Sequence, residues 1–133
     1  MNLNGVPVEE RIFGEGHCLR PNFFQPIRCQ RVLLQGVTFQ NSPMWQLNPI
    51  LCRSVVVDGV TLSSHGPNND GCDPESCDGV WIRNCRFDTG DDCVSLKSGR
   101  DRDGREANAP CRNILIENNE FADATAAWRW AAR

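Results

Sequence analysis

The sequence predicts an all-β fold, a right-handed parallel β-helix of about four to five coils, and three observations predict it. Four segments align without gaps when each is started at a cysteine: CQRVLLQGVTF from Cys29, CRSVVVDGVTL from Cys52, CDGVWIRNCRF from Cys77 and CRNILIENNEF from Cys111. Within each segment apolar and polar residues alternate with a period of two, which is the pattern of a strand and not of a helix. The starts are 23, 25 and 34 residues apart, the spacing of a solenoid whose units bury their inner faces only by stacking on their neighbours.

Each coil is justified position by position. The fourth and sixth residues are apolar, Val32 and Leu34, Val55 and Val57, Val80 and Ile82, Ile114 and Ile116. Gly or Asn then breaks the alternation and marks a bend between two short strands. The eleventh residue is apolar again: Phe39, Leu62, Phe87, Phe121. After it, QNSPMWQLNPIL, SSHGPNNDGCDPES and DTGDDCVSLKSG are expected to supply a third strand. A leucine-rich repeat has a similar period, but it needs leucines at fixed places where these copies carry Val, Ile and Phe.

Eight cysteines, an even number, would suit a disulfide framework in a secreted protein. Stacking instead predicts a ladder of the four leading cysteines, about 4.8 Å apart from coil to coil, serving as small buried apolar side chains. Neither Cys72 with Cys77 nor Cys85 with Cys93 has a recognised zinc spacing.

With 133 residues, 40% hydrophobic, a formal net charge of −3 and a pI near 5.3, the composition suits one soluble domain and argues against nucleic acid as a partner. No apolar run approaches the roughly 20 residues needed to cross a bilayer, so no membrane partner is expected. The first residues lack the apolar core of a signal peptide.

The stretch from Gly66 to Asp101 gathers Asp70, Asp73, Asp91 and Asp92. Coiling places Asp70 beside the Asp91/Asp92 pair on one face, in successive coils. Such a cluster could divide the labour of acid and base in glycoside hydrolysis, hold Ca²⁺ through oxygen ligands, or simply serve tight turns. The residues alone leave these three open.

NNDGCD and TGDDC resemble, in order and spacing, the N-T-D-G-x-D and D-D signatures of glycoside hydrolase family 28, the polygalacturonases. FGEGHCLRPNF, NSPMWQLNP, SSHGPNNDGCDPESC and FDTGDDCVSLKSGR extend the resemblance over residues 11 to 121. It implies a pectin-lyase-like solenoid, hydrolysis of α-1,4-galacturonosyl linkages in pectin with inversion, no metal or other cofactor, a monomer when full length, and a secreted or periplasmic location. It also implies that Asp91 is the general acid and that Asp70 and Asp92 are bases activating water. Neighbouring carboxylates push one another's pKa values apart, which suits such a division. Asp73 and Asn68, in the same motif, are expected to be structural. Lys97 and Arg100 are candidates to meet the substrate's carboxylates, or else solvated turn charges.

The family's G-H-G and R-I-K motifs are absent, and SHG at Ser64 precedes the acidic cluster and does not replace the first. The chain is therefore expected to be an internal piece of an exported enzyme, inactive by itself. A non-catalytic β-helical fragment binding acidic polysaccharide and a calcium-dependent pectate lyase are the competing readings. Residues 122–133 break the pattern of the earlier coils. Writing the expected Asp-Gly-His-Gly-Gly-Val-Ala-Leu-Gly-Ser-Glu-Met in GC-rich codons, and deleting one G after the first, spells the residues from Asp123 to Arg133 and then a stop. The tail is thus expected to be a frameshifted remnant of a G-H-G coil, with Trp128 and Trp130 accidental.

Overall fold

The computed structural model describes Glu10 and residues 20–131; Cys18 and most of the FGEGHCLRPNF stretch lie outside the described residues. In chain order the elements are β1 (Gln30–Gln35), β2 (Thr38–Gln40), β3 (Arg53–Asp58), β4 (Thr61–Ser64), β5 (Asp78–Arg83), β6 (Arg86–Thr89), β7 (Val94–Lys97), α1 (Asp101–Ala107), β8 (Arg112–Glu117), β9 (Glu120–Asp123) and β10 (Trp128–Ala131). The residue that breaks each alternation takes the left-handed conformation, with φ of 62° at Gly36, 63° at Gly59, 54° at Asn84 and 52° at Asn118. Gly and Asn reach that region at least cost, so each bend turns the chain from the first strand of its coil into the second.

The strands stack into sheets β1-β3-β5-β8, β2-β4-β6-β9 and β7-β10, and every pairing is parallel. This is a right-handed parallel β-helix, the hand that parallel crossovers adopt almost without exception. Register keeps like on like: Val32, Val55, Val80 and Ile114 form one inward ladder, and Phe39, Leu62, Phe87 and Phe121 another. The core is densest in the middle coils, where Val55, Val57, Leu62, Val80, Ile82 and Phe87 are buried. Val32, Leu34, Ile114 and Ile116 are only partly covered.

On the third face, a continuous strand was expected in every coil, but among the described residues only β7 and β10 form one. The earlier coils make isolated parallel bridges, Phe24 to Leu47 to Cys72 to Val94 and Ile27 to Ile50 to Glu75 to Lys97. Pro26, Pro49 and Pro74 sit between these bridges and have no N–H to donate. Their carbonyls still accept from Ile50, Glu75 and Lys97 at 2.8–2.9 Å. The prolines thus interrupt the ladder without breaking the stack.

Three of the four leading cysteines, Cys52, Cys77 and Cys111, are buried as expected, whereas Cys29, in the first described coil, is exposed; all the described cysteines are free thiols. Desolvation pushes the Cys77 thiol up to about 12, so it stays neutral and serves packing.

Helix α1 was not anticipated, and it accounts for the long spacing before Cys111. It has no buried residue and so left no apolar period in the sequence. Asn108, in the left-handed conformation at φ 43°, ends it with its N–H on the Gly104 carbonyl.

The irregular tail nonetheless joins the solenoid. Trp128, Arg129, Trp130 and Ala131 pair in register with Val94, Ser95, Leu96 and Lys97. The pairing runs through backbone groups, which explains why an atypical composition tolerates it.

Phe87 stacks on Phe121 at 5.4 Å between centroids, and it fills the space where Gly71 lacks a side chain. A Cβ at Gly71 would lie 2.5 Å from the Cys93 carbonyl oxygen and 2.6 Å from the Phe87 ring. Phe87→Ala should therefore cost about 3–5 kcal/mol in urea unfolding, and Gly71→Ala should also destabilise. Val37→Ala, at an exposed position, should stay within about 0.5 kcal/mol.

Candidate active site

The acidic residues are placed by the stacking of four turns. Gln46 and Leu47 donate their N–H groups to Asp70 and Gly71, Gly71 and Cys72 donate to Asp92 and Cys93, and Cys93 donates to Ala126, all at 2.8–2.9 Å. Side chains lock the turns together. Buried Asn69 donates to the carbonyls of Ser42 and Met44 at 2.8 and 2.9 Å. Arg20 reaches across to the carbonyls of Pro43 and Pro67 and to Asn68 Oδ1. The Asp91 carboxylate accepts from the Asp92 N–H at 2.9 Å, and its carbonyl accepts from Thr89 Oγ1 at 2.8 Å.

As a result one carboxylate oxygen from each of Asp70, Asp91 and Asp92 lies within 4.8 Å of the other two. They line a cleft of about 610 Å³ with Trp45, Glu75, Ser95, Lys97, Arg100, Arg129 and Trp130. A smaller cavity of about 280 Å³, beside the end of α1, is lined by Arg53 and Arg112 with Asp78 as the one carboxylate among its described residues.

Two of the three carboxylates have a cation. Lys97 Nζ is 3.5 Å from Asp70 Oδ2, and Arg129 Nε is 3.2 Å from Asp92 Oδ2. Asp91 forms no ion pair among the described residues. Desolvation pushes both Asp70 and Asp92 up, while Lys97 and Arg129 respectively pull them back down. Asp73 is wholly buried and pushed well above the carboxylate range, first by desolvation and then by the charge of Asp70.

Asp70, Asp91 and Asp92 thus lie together on one face, as coiling predicts. Lys97 is not a free cation at the rim. It is mostly covered, 3.1 Å from Asp73 Oδ2, 3.0 Å from Ser95 Oγ and 4.3 Å from the centre of the Trp45 ring. Arg100 lies on the cleft wall, exposed and 3.1 Å from Asp101. Asn68 also lines the cleft. Sequence reasoning missed Trp45, which lies in the NSPMWQLNP motif without an acidic neighbour, and Arg129, which lies in the aberrant tail.

The spacing of Asp70, Asp91 and Asp92 would admit a divalent cation, yet Lys97 and Arg129 already balance two of the charges. His65, Asp88 and Asp123 form a second close group, more exposed, in which His65 Nε2 is 2.8 Å from Asp88 Oδ1.

Residues 14–124 match the family described as Glycosyl hydrolases family 28. A probable polygalacturonase of Vitis vinifera is 32% identical over 99 residues, covering 73% of this chain and 20% of its own length. Exopolygalacturonase B of Aspergillus niger is 32% identical over 109 residues, covering 73% of this chain and 25% of its own. The chain thus spans about a fifth to a quarter of these relatives. Among solved structures, the hyperthermoactive exopolygalacturonase of Thermotoga maritima superposes with a TM-score of 0.77 at 46% identity, over 95% of this chain and 33% of that one. The family 28 exopolygalacturonase of Yersinia enterocolitica does so with a TM-score of 0.72 at 26% identity, over 76% of this chain and 18% of that one.

A carboxyl whose pKa is raised on folding holds its proton more tightly in the folded state. The stability it confers is complete below the unfolded value, about 4, and is lost as pH rises through the folded value. Asp73 therefore predicts a melting temperature that falls as pH rises from about 4 through its raised folded value. Asp73→Asn, which mimics the protonated carboxyl, should flatten that slope in scanning calorimetry. Asp58 and Asp78 are shifted down by hydrogen bonds from Asn84 and Asn113, first of their causes, so their contribution is lost only at more acid pH and leaves this window unaffected.

Proposed function

The chain belongs to the glycosyl hydrolases of family 28, and on that premise we propose that its cleft hydrolyses α-1,4-galacturonosyl linkages of pectin by acid/base catalysis with inversion. The observation that carries this reading is the convergence of Asp70, Asp91 and Asp92 on one cleft where, among the described residues, a cation lies beside Asp70 and another beside Asp92 but none beside Asp91. A base must be ionised when substrate arrives, and a neighbouring cation favours that state. The acid's role then falls to Asp91. It protonates the leaving glycosidic oxygen as the bond to the anomeric carbon breaks. Water adds to that carbon from the opposite face, and its proton passes to Asp70 or Asp92.

Asp70 Oδ1 and Asp92 Oδ1 are buried and have no hydrogen-bond partner among the described residues, so neither is held by a protein donor there. Inversion is drawn from the family resemblance and not from spacing. The 4.8 Å here is between single oxygens, whereas the roughly 6.5–9.5 Å typical of inverting enzymes is between carboxyl groups. Trp45, on the cleft wall, offers flat apolar surface to a sugar ring, and Trp130, expected to be accidental, lines the same cleft. A substrate exported to plant cell walls fits a secreted or periplasmic protein.

Release of new reducing ends from polygalacturonate, by the polypeptide that carries these coils, tests the assignment. Asp91→Asn should lower kcat about 10²–10⁴-fold with little change in KM, because a general acid acts only in the transition state. Asp70→Asn and Asp92→Asn should be similarly damaging. Turnover near the wild-type value in all three would reject these roles.

A further inference from the structure

We propose that Asp73 and Lys97 are positioning residues for Asp70: Asp73 lines the floor of the site as an uncharged carboxyl, and Lys97 commits its single charge to holding Asp70 ionised. The proposal rests on the reading of Asp70 as a base. Its ground is a count of charges in a confined corner. Lys97 Nζ lies 3.1 Å from Asp73 Oδ2 and 3.5 Å from Asp70 Oδ2, so one ammonium faces two carboxyl groups. Ser95 Oγ, at 3.0 Å, takes a third of its directions, and the Trp45 ring closes over it at 4.3 Å.

One cation can balance only one of two buried carboxylates, and the other must stay neutral or remain an uncompensated buried charge. Depth decides which. Asp73 is fully inaccessible, whereas Asp70 lies on the cleft wall. Among the described residues neither Asp73 oxygen has a hydrogen-bond partner, an arrangement that costs less for a neutral carboxyl than for a charged one.

The other charges around Asp70 do not change the count. Asp91 and Asp92 repel it from the next coil, and Arg129 is engaged by Asp92. Glu75 and Arg100 line the outer part of the cleft. Burial raises Asp73 strongly and Asp70 less, and Lys97 is the foremost charge opposing the rise at Asp70. Lys97 is consequently not the group that receives a substrate carboxylate.

Carbon-13 NMR of the protein labelled at aspartate carboxyls tests this without substrate, so its outcome is separate from that of the pectin assay. Near neutral pH, Asp73 should show the shift of a protonated carboxyl and Asp70 that of an ionised one. Lys97→Met should raise the Asp70 midpoint by about one unit or more, while Lys97→Arg should restore it. Asp73→Asn should leave it close to the wild-type value. An Asp73 that titrates in the ordinary carboxylate range would overturn the proposal. So would an Asp70 midpoint unmoved by Lys97→Met or sharply lowered by Asp73→Asn. Should Lys97→Met fail to fold, the wild-type titration of the two groups decides alone.

Discussion

The stacking of one coil on the next is the constraint on which the rest of this structure depends. No coil has a core of its own; Val55, Val80 and Phe87 are buried because Val32, Ile114 and Phe121 lie above and below them in register. The same parallel register acts on the polar side chains. Asp70 and the Asp91/Asp92 pair come from different coils, and the hydrogen bond from Gly71 N–H to the Asp92 carbonyl, 2.9 Å long, is one rung of the stack. A single backbone interaction therefore sets both the apolar core and the acidic cleft, and a one-residue slip would undo both.

Crowding three carboxylates is unfavourable unless charge is compensated, and the chain compensates with residues from the same face. Lys97 comes from β7 and Arg129 from β10, which pairs directly with it. Each cation lies beside one acid, and among the described residues Asp91 has none. The asymmetry gives chemically identical side chains different environments, which is the condition for an acid and a base to coexist at one pH.

Much of the fold was legible because each coil repeats the same physical demands. Gly36, Gly59, Asn84 and Asn118 announce a left-handed bend, and Val, Ile, Leu and Phe at fixed offsets announce the inner ladders. Helix α1 was illegible because it buries nothing. The broken third face could have been read from Pro26, Pro49 and Pro74, whose alignment becomes meaningful only once the register is known. In the site, the acids were legible from coiling and from family resemblance. The engagement of Lys97 was not, because its partner Asp73 and its lid Trp45 belong to earlier coils. Arg129 was hidden for a different reason, since a tail that breaks the repeat gives no reason to expect an in-register strand.

Under the proposed function, coil stacking brings Asp70, Asp91 and Asp92 together as an inverting acid/base site. Proton NMR of the first product formed from an α-linked galacturonate oligomer, recorded before mutarotation, reads the stereochemistry of that step. β-Anomeric reducing ends should appear first. Initial α-anomeric ends, or unsaturated products absorbing in the ultraviolet, would rule out an inverting hydrolase at this site.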